Sequence, residues 1–335
     1  MSKNVRIAVC GATGAVGQQM LRCLEEQNFP YADLRLLASP RSAGKKIKVK
    51  DKLIEVQALA KNSFNNIDVA LFSAGGSISR QWAPVAAQAG AVVIDNSSAW
   101  RMDPKVPLIV PEVNPGALKD HKGLIANPNC STVQMLVVAK PLHDAFKIKR
   151  IVVSTYQAVS GTGLPGIEEL DSQLKAFFAG EPIKNSVYPR QILFNAVPQI
   201  DDFLESGYTK EEMKLVNETH KILDPEILVS PTAIRVPVFR GHSEAINIET
   251  EKPVSPEEVR SVLSKAKGVK VMDEPFKSVF PTALDVEAHD EVLVGRIRKD
   301  PTISRGINMW VVADNVAKGA ALNAVQIAEL FLEKG

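Results

Sequence analysis

Three glycines spaced three residues apart, set between an apolar run and a helical pattern, constrain this chain more than any other feature. Residues 5–9 are largely apolar, Gly11-Ala12-Thr13-Gly14-Ala15-Val16-Gly17 follows, and a helical pattern then runs to about Gln27. Glycine allows the tight turn and close backbone approach that join such a strand to its helix, and the N–H groups opening the helix can receive a pyrophosphate. The spacing G-x-x-G-x-x-G is a variant of the dinucleotide-binding turn; a tight turn that binds nothing is the alternative. Further apolar runs at 34–37, 67–72, 91–94 and 108–110 are continuous rather than alternating, as in parallel strands covered on both faces. A doubly wound α/β sheet of Rossmann type is expected.

Beyond Cys130 the pattern changes. Longer, partly alternating strands are expected at 151–156, 232–239, 243–250 and 292–298, with helices at 167–178, 210–223 and 256–265 between them. This describes an α+β domain with a mixed, mostly antiparallel sheet. An Ala-rich helical segment at 315–332 ends the chain. With 335 residues there is length for two domains, divided here as 1–129 with 315–335 and as 130–314.

A net charge of +2 without a Lys/Arg run argues against a nucleic-acid partner. Cys10, Cys23 and Cys130 are too few for a disulfide framework and lack metal-ligand spacing, so no metal and a reducing cytoplasm are expected. Met1–Asn4 leads almost directly into a strand with no apolar targeting region, and no apolar run is long enough to span a membrane. A small-molecule ligand remains.

The end of the second strand indicates which dinucleotide. NAD sites place a carboxylate there for the ribose 2′-hydroxyl, but Leu37-Ala38-Ser39-Pro40-Arg41-Ser42-Ala43-Gly44 has none. Arg41 with Ser39 and Ser42 suits a 2′-phosphate instead, which favours NADP; the alternative is a solvated loop arginine. Asn127-Pro128-Asn129-Cys130-Ser131-Thr132 precedes a helical pattern, and Asn129 as N-cap puts Cys130 in the first turn. The partial positive charge there favours a thiolate nucleophile, although a free cysteine is commonly a small core residue. Of five histidines, His242 lies in the bend Arg240-Gly241-His242-Ser243 between two apolar strands, where it can face a cleft as acid or base. Arg101 ends a loop at the carboxyl edge of the first sheet. Lys214, Glu218 and Lys221 share a helix face that, taken alone, reads better as an exposed ion-pair surface than as an anion site. Arg235, inside Ile234-Arg235-Val236-Pro237-Val238, must be paired or face a polar ligand.

These motifs occur in one order: the glycine turn, Ser39 to Gly44, Pro128 to Thr132, Tyr156-Gln157-Ala158-Val159-Ser160-Gly161, Glu218-Thr219-His220-Lys221, and Arg235 to Val238 ending in Gly241-His242-Ser243. The set resembles the bacterial aspartate-semialdehyde dehydrogenases over nearly the whole chain. The resemblance implies that Cys130 is the acyl-accepting nucleophile, His242 the acid/base, and Gln157 a holder of the acyl intermediate. It implies that Arg101, Lys221 and Asn129 meet the phosphate, Arg235 the substrate α-carboxylate and Glu218 its amino group. Gly11, Thr13, Gly14, Ala15, Val16 and Gly17 would lie along NADP, with Ser39, Arg41 and Ser42 at the 2′-phosphate and Ser160 and Gly161 as further cofactor contacts. It further implies a homodimer or dimer of dimers joined through the second domain. The activity implied is reductive dephosphorylation of 4-phospho-L-aspartate, a step that feeds lysine, threonine, methionine, isoleucine and diaminopimelate biosynthesis. A related acyl-phosphate reductase, such as N-acetyl-gamma-glutamyl-phosphate reductase, and a non-catalytic NADP-binding sensor are the alternatives.

Overall fold

The computed structural model describes residues 5–334; Met1–Asn4, where the absence of a targeting segment was read, and Gly335 lie outside the described residues. The chain forms two compact units, Met1–Asn129 with Ala320–Gly335, and Cys130–Gly319. The division at the carboxyl end falls later than the sequence places it, because residues 315–319 cluster with the second unit.

In the first unit β1 (Val5–Cys10) passes through the glycine turn into α1 (Ala15–Glu26), and β2 (Tyr31–Ala38) lies parallel to β1. A hairpin of β3 (Lys46–Val49) and β4 (Lys52–Ala58) extends that edge, with β4 parallel to β2. On the other side β5 (Val69–Phe72), β6 (Val92–Asp95) and β7 (Leu124–Ala126) continue in parallel, with α2 (Gly76–Gln88) between β5 and β6. The resulting order is β3-β4-β2-β1-β5-β6-β7. Every residue of β5 and β6 is buried, which is why these segments read as unbroken apolar runs. Helix α1 turns Met20, Leu21 and Leu24 inward, and the closing helix Leu322–Lys334 packs beside it.

The second unit begins with α3 (Cys130–Phe146), followed by β8 (Ile148–Gln157), α4 (Leu164–Ala179), α5 (Lys210–Ile222), β9 (Leu228–Arg235), β10 (His242–Thr250), α6 (Pro256–Leu263), β11 (Val269–Val271), β12 (Val292–Asp300) and β13 (Gly306–Ala313). The sheet order is β11-β12-β13-β10-β8-β9, with the three central pairings antiparallel and the two outer ones parallel. One face presents Ile151, Val153, Thr155 and Gln157 from β8, His242, Glu244, Ile246 and Ile248 from β10, and Ile307, Met309 and Val311 from β13, all buried. Helix α3 lies on this face and is apolar nearly all round, with Val133, Met135, Leu136, Val137 and Val138 buried. The opposite face carries Ser154, Ala245 and Asn247 with the Tyr156 and Trp310 rings 5.5 Å apart, all half-buried.

Several expected elements differ. The run 108–110 forms only a single bridge from Leu108 to Ala126, because Pro107 and Pro111 flank it and each lacks an N–H for a ladder. The strand expected at 232–239 ends at Arg235, ahead of Pro237, and starts earlier, at Leu228. The final helix starts at Leu322 rather than at 315; a π-helical turn, Ala317–Ala321, precedes it. The β3–β4 hairpin is lysine-rich and mostly exposed, so it has no apolar run to announce it.

Phe64 and Phe72 stack with centroids 5.8 Å apart inside a core that also contains Leu37, Ile67 and Val93. Replacing Phe72 with Ala leaves a cavity that small neighbours such as Ala8, Ala70 and Ala83 cannot fill. The expected cost is about 3–5 kcal/mol in urea unfolding of the first unit.

Candidate active site

Two of the three turn glycines are required by backbone contacts. A Cβ on Gly11 would lie 2.3 Å from the Ser73 carbonyl oxygen, at a φ of +89°. A Cβ on Gly17 would lie 2.1 Å from the Gly11 carbonyl oxygen. Gly14, at 3.4 Å from that oxygen, is the least constrained of the three. The turn brings the start of α1 to the carboxyl ends of β1 and β5 with no side-chain hydrogen bond capping the helix, a cradle suited to a pyrophosphate. Thr13, Ala15 and Val16 line this turn, all half-buried. After β2, a single 3-10 turn, Pro40–Ser42, leaves Ser39 and Arg41 exposed and Ser42 half-exposed. Arg101 is buried; its Nε donates to the Asn127 carbonyl at 2.9 Å and its Nη2 to that of Asn96 at 3.0 Å. Asn129, also buried, ends the first unit. Cys10 is fully buried, and burial pushes its thiol well above the ordinary range, which fits a core residue rather than a nucleophile.

In the second unit three strands end together. Gln157 pairs with Arg235 across β8 and β9, and the pairing of Ser243 with Tyr156 puts His242 on the other side of Gln157. The three side chains therefore share one buried face. Arg235 Nη1 donates to the Ala158 carbonyl at 2.7 Å, the Tyr188 ring lies 6.0 Å from the guanidinium carbon, and Nε has no partner among the described residues. A guanidinium this buried with an open donor suits an anionic ligand. Gln157 Nε2 donates to Glu211 Oε1 at 3.1 Å, and Glu211 also takes Lys214 Nζ at 2.8 Å. Lys214 thus pairs with Glu211 and Asp201. Glu218 is only 1% exposed, so the solvated helix face expected from the sequence does not include it. Lys221 follows one turn later and is half-buried.

His242 has no accessible surface. The Ala158 N–H donates to its Nδ1 at 3.0 Å, so the neutral ring carries its proton on Nε2. Nε2 has no partner among the described residues. Gly161 packs closely against it: a Cβ there would lie 2.8 Å from Arg235 Nη1 and 3.2 Å from His242 Nε2. Burial, reinforced by the nearby Arg235 charge and opposed by Glu211, pushes the imidazole down to about 3. Ser160 is buried and exchanges hydrogen bonds with Asn315.

Cys130 is the first residue of α3 and half-buried. Gly319, within the π-helical turn, passes so close that a Cβ there would lie 2.7 Å from Cys130 Cβ. One turn along α3, Gln134 Nε2 donates to the His242 carbonyl at 3.4 Å, joining the cysteine helix to the histidine strand. Gln134, Glu211 and Gly319 were not singled out from the sequence. Their partners lie far along the chain, and nothing local distinguishes them. Among the described residues no cluster of metal-ligating side chains occurs, and no helix is long and apolar enough to cross a membrane.

Comparison with known proteins puts this chain in one class, the dehydrogenases with a nucleotide-binding domain. Residues 6–121 match the family model "Semialdehyde dehydrogenase, NAD binding domain" and residues 139–318 match "Semialdehyde dehydrogenase, dimerisation domain". The chain belongs to the semialdehyde dehydrogenase family. Within it, similar proteins include the aspartate-semialdehyde dehydrogenase of Aquifex aeolicus, 58% identical over 98% of each chain, and that of Bacillus subtilis, 48% identical over 98% of each. Among solved structures, aspartate semialdehyde dehydrogenase II of Vibrio cholerae, complexed with ASA, superposes with a TM-score of 0.97 at 50% identity over 99% of each chain. The Candida albicans enzyme with NADP gives 0.76 at 27% identity over 98% of each.

The depressed imidazole has a visible consequence. Between about pH 8 and pH 5 His242 stays neutral, so its ring signals in an NMR titration are expected not to move; a midpoint near the ordinary 6.5 would contradict the buried geometry. The unfolded chain takes up this proton below about 6.5 while the folded chain refuses it, so the residue's contribution to stability declines as pH falls from 6.5 toward 3.

Proposed function

We propose that this protein is an NADP-dependent aspartate-semialdehyde dehydrogenase that converts 4-phospho-L-aspartate to L-aspartate 4-semialdehyde through a thioester on Cys130. The supporting observation is the close approach of Gly161 to both Arg235 and the Nε2 of His242, which stand on either side of Gln157. The names of the relatives, and the ASA held by the Vibrio cholerae enzyme, support the aspartyl identity.

In this reading Arg235 clamps the substrate α-carboxylate and Glu218 receives the ammonium, a pairing that an N-acetylated substrate cannot make. Arg101, Asn129 and Lys221 bind the phosphate end. Cys130 Sγ attacks the acyl carbon, the bond to the phosphate oxygen breaks, and phosphate departs with its electron pair, leaving a thioester. Gln157, oriented by Glu211, holds the acyl group. NADP in reduced form supplies the hydride that takes this carbon to the aldehyde level. Fission of the C–S bond then frees the semialdehyde and restores the cysteine sulfur. His242 acts from Nε2 as a neutral donor to the carbonyl oxygen, strengthening as negative charge develops there. Accepting a proton would require Nδ1 to release the Ala158 N–H. The cradle left by Gly11 and Gly17 fits the pyrophosphate, with Thr13, Gly14, Ala15 and Val16 along it and Ser39, Arg41 and Ser42 at the 2′-phosphate. Ser160 and Gly161 stand on the turn that would border the nicotinamide. We further place the enzyme in the cytoplasm, as a homodimer or dimer of dimers joined through the open sheet face around Tyr156 and Trp310.

An assay with aspartate semialdehyde, NADP and phosphate, run beside N-acetylglutamate semialdehyde, tests the reading; activity on the second compound alone would overturn it. Cys130→Ser is expected to lose turnover and burst thioacylation while still binding cofactor, and wild-type-like turnover would refute the nucleophile. Arg41→Ala should raise the KM for NADP about tenfold, roughly 1.4 kcal/mol of lost charge-assisted contact, and leave the KM for NAD unchanged.

A further inference from the structure

Two residues beyond His242 lies a carboxyl group that the proposed chemistry does not use. Glu244 follows His242 on the same face of β10 and is completely buried. Its cross-strand neighbours are Thr155 on β8 and Val311 on β13, and the Gln134 amide of α3 lies beside it. None of these carries a positive charge. Among the described residues neither Glu244 oxygen closes a hydrogen bond, and nor does Gln134 Oε1, itself fully buried.

A carboxylate in this position would have neither a counter-ion nor a full set of donors, and burial drives the group well above the usual carboxylate range. A neutral acid resolves the arrangement, because its O–H supplies the donor that two adjacent acceptors lack.

We propose that Glu244 is a positioning residue for the nucleophile, held as a neutral carboxylic acid whose proton is given to Gln134 Oε1. That bond fixes the Gln134 amide so that Nε2 points at the His242 carbonyl, 3.4 Å away. Since Gln134 lies one turn beyond Cys130, the orientation of a single amide holds the cysteine end of α3 against the strand that begins with His242. The placement of Cys130 then depends on a proton that never enters the reaction. This role rests on Cys130 being the nucleophile, whereas the protonation state of Glu244 does not.

Two variants of the full-length enzyme test it. Glu244→Gln keeps the shape and a donor, so kcat should stay within about twofold of wild type. Glu244→Leu keeps the volume but removes the donor, so kcat should fall about tenfold or more through misplacement of the nucleophile, with the KM for NADP unchanged. Its thermal midpoint should fall modestly, because the buried Gln134 Oε1 is left without a donor. A folded Glu244→Leu enzyme with wild-type kcat would overturn the positioning role. Infrared difference spectra of wild type against Glu244→Gln read the proton without any turnover. The carbonyl stretch of a protonated acid should be present near neutral pH and vanish in the variant; a carboxylate band in its place would overturn the neutral state. Were the wild type itself inactive on aspartate semialdehyde, the functional reading would fail while the infrared result still stood.

Discussion

The register of β9, β8 and β10 governs the end of the second unit at which the candidate site lies. These strands meet so that Arg235, Gln157 and His242 stand side by side on one face. A sheet alternates its side chains, so a slip of one residue in any of the three strands would send the corresponding group to the opposite face. The register is set by the apolar residues further along the same strands, Ile151 and Val153 against Ile246 and Ile248, which must lie under α3. Ordinary core burial thus fixes the position of the polar groups, and the site inherits its geometry from hydrophobic packing several residues away.

A second ordering principle is the exclusion of charge from the face where the reaction is placed. The imidazole is neutral because it is buried beside a guanidinium, and Glu244 lacks any cation to stabilise an anionic form. Charges close to the imidazole include Arg235, with an open Nε, and Glu211, tied to Lys214 and to the Gln157 amide. Away from water these few charges act with little screening, so a ligand of matching charge gains more from them than it would at the surface. Neutral surroundings and isolated charges are two aspects of the same design.

Much of this was legible in the sequence because the signals were local. The glycine turn, the apolar parallel strands, the cysteine at a helix start and an arginine within an apolar strand each declare themselves within about ten residues. Family resemblance supplied the roles of Gln157, Glu218 and Lys221, which no local rule provides. Less was legible where an element had little apolar content, as in the lysine-rich hairpin of β3 and β4, or where proline cut a run short, as at residues 108–110. Glu211 and Glu212 resembled the acidic first turn of any helix, and Glu212 does close a capping box with Thr209. That its neighbour Glu211 reaches a glutamine 54 positions earlier is a property of the folded sheet alone.

The contact between Gly17 and the Gly11 carbonyl has a consequence for how such a chain can change over time. Most tight contacts join side chains, and a damaging substitution at one can be relieved by a smaller partner at the other. Here both sides are main chain: the added Cβ would meet a carbonyl oxygen that every amino acid possesses. No single compensating replacement elsewhere in the turn can make room, so the position is closed to second-site suppression. Gly14, with ordinary clearance, is free to drift in principle, and the two glycines three residues apart therefore differ in kind: one is a preference, the other a fixed point around which homologous sequences can diverge but through which they cannot pass.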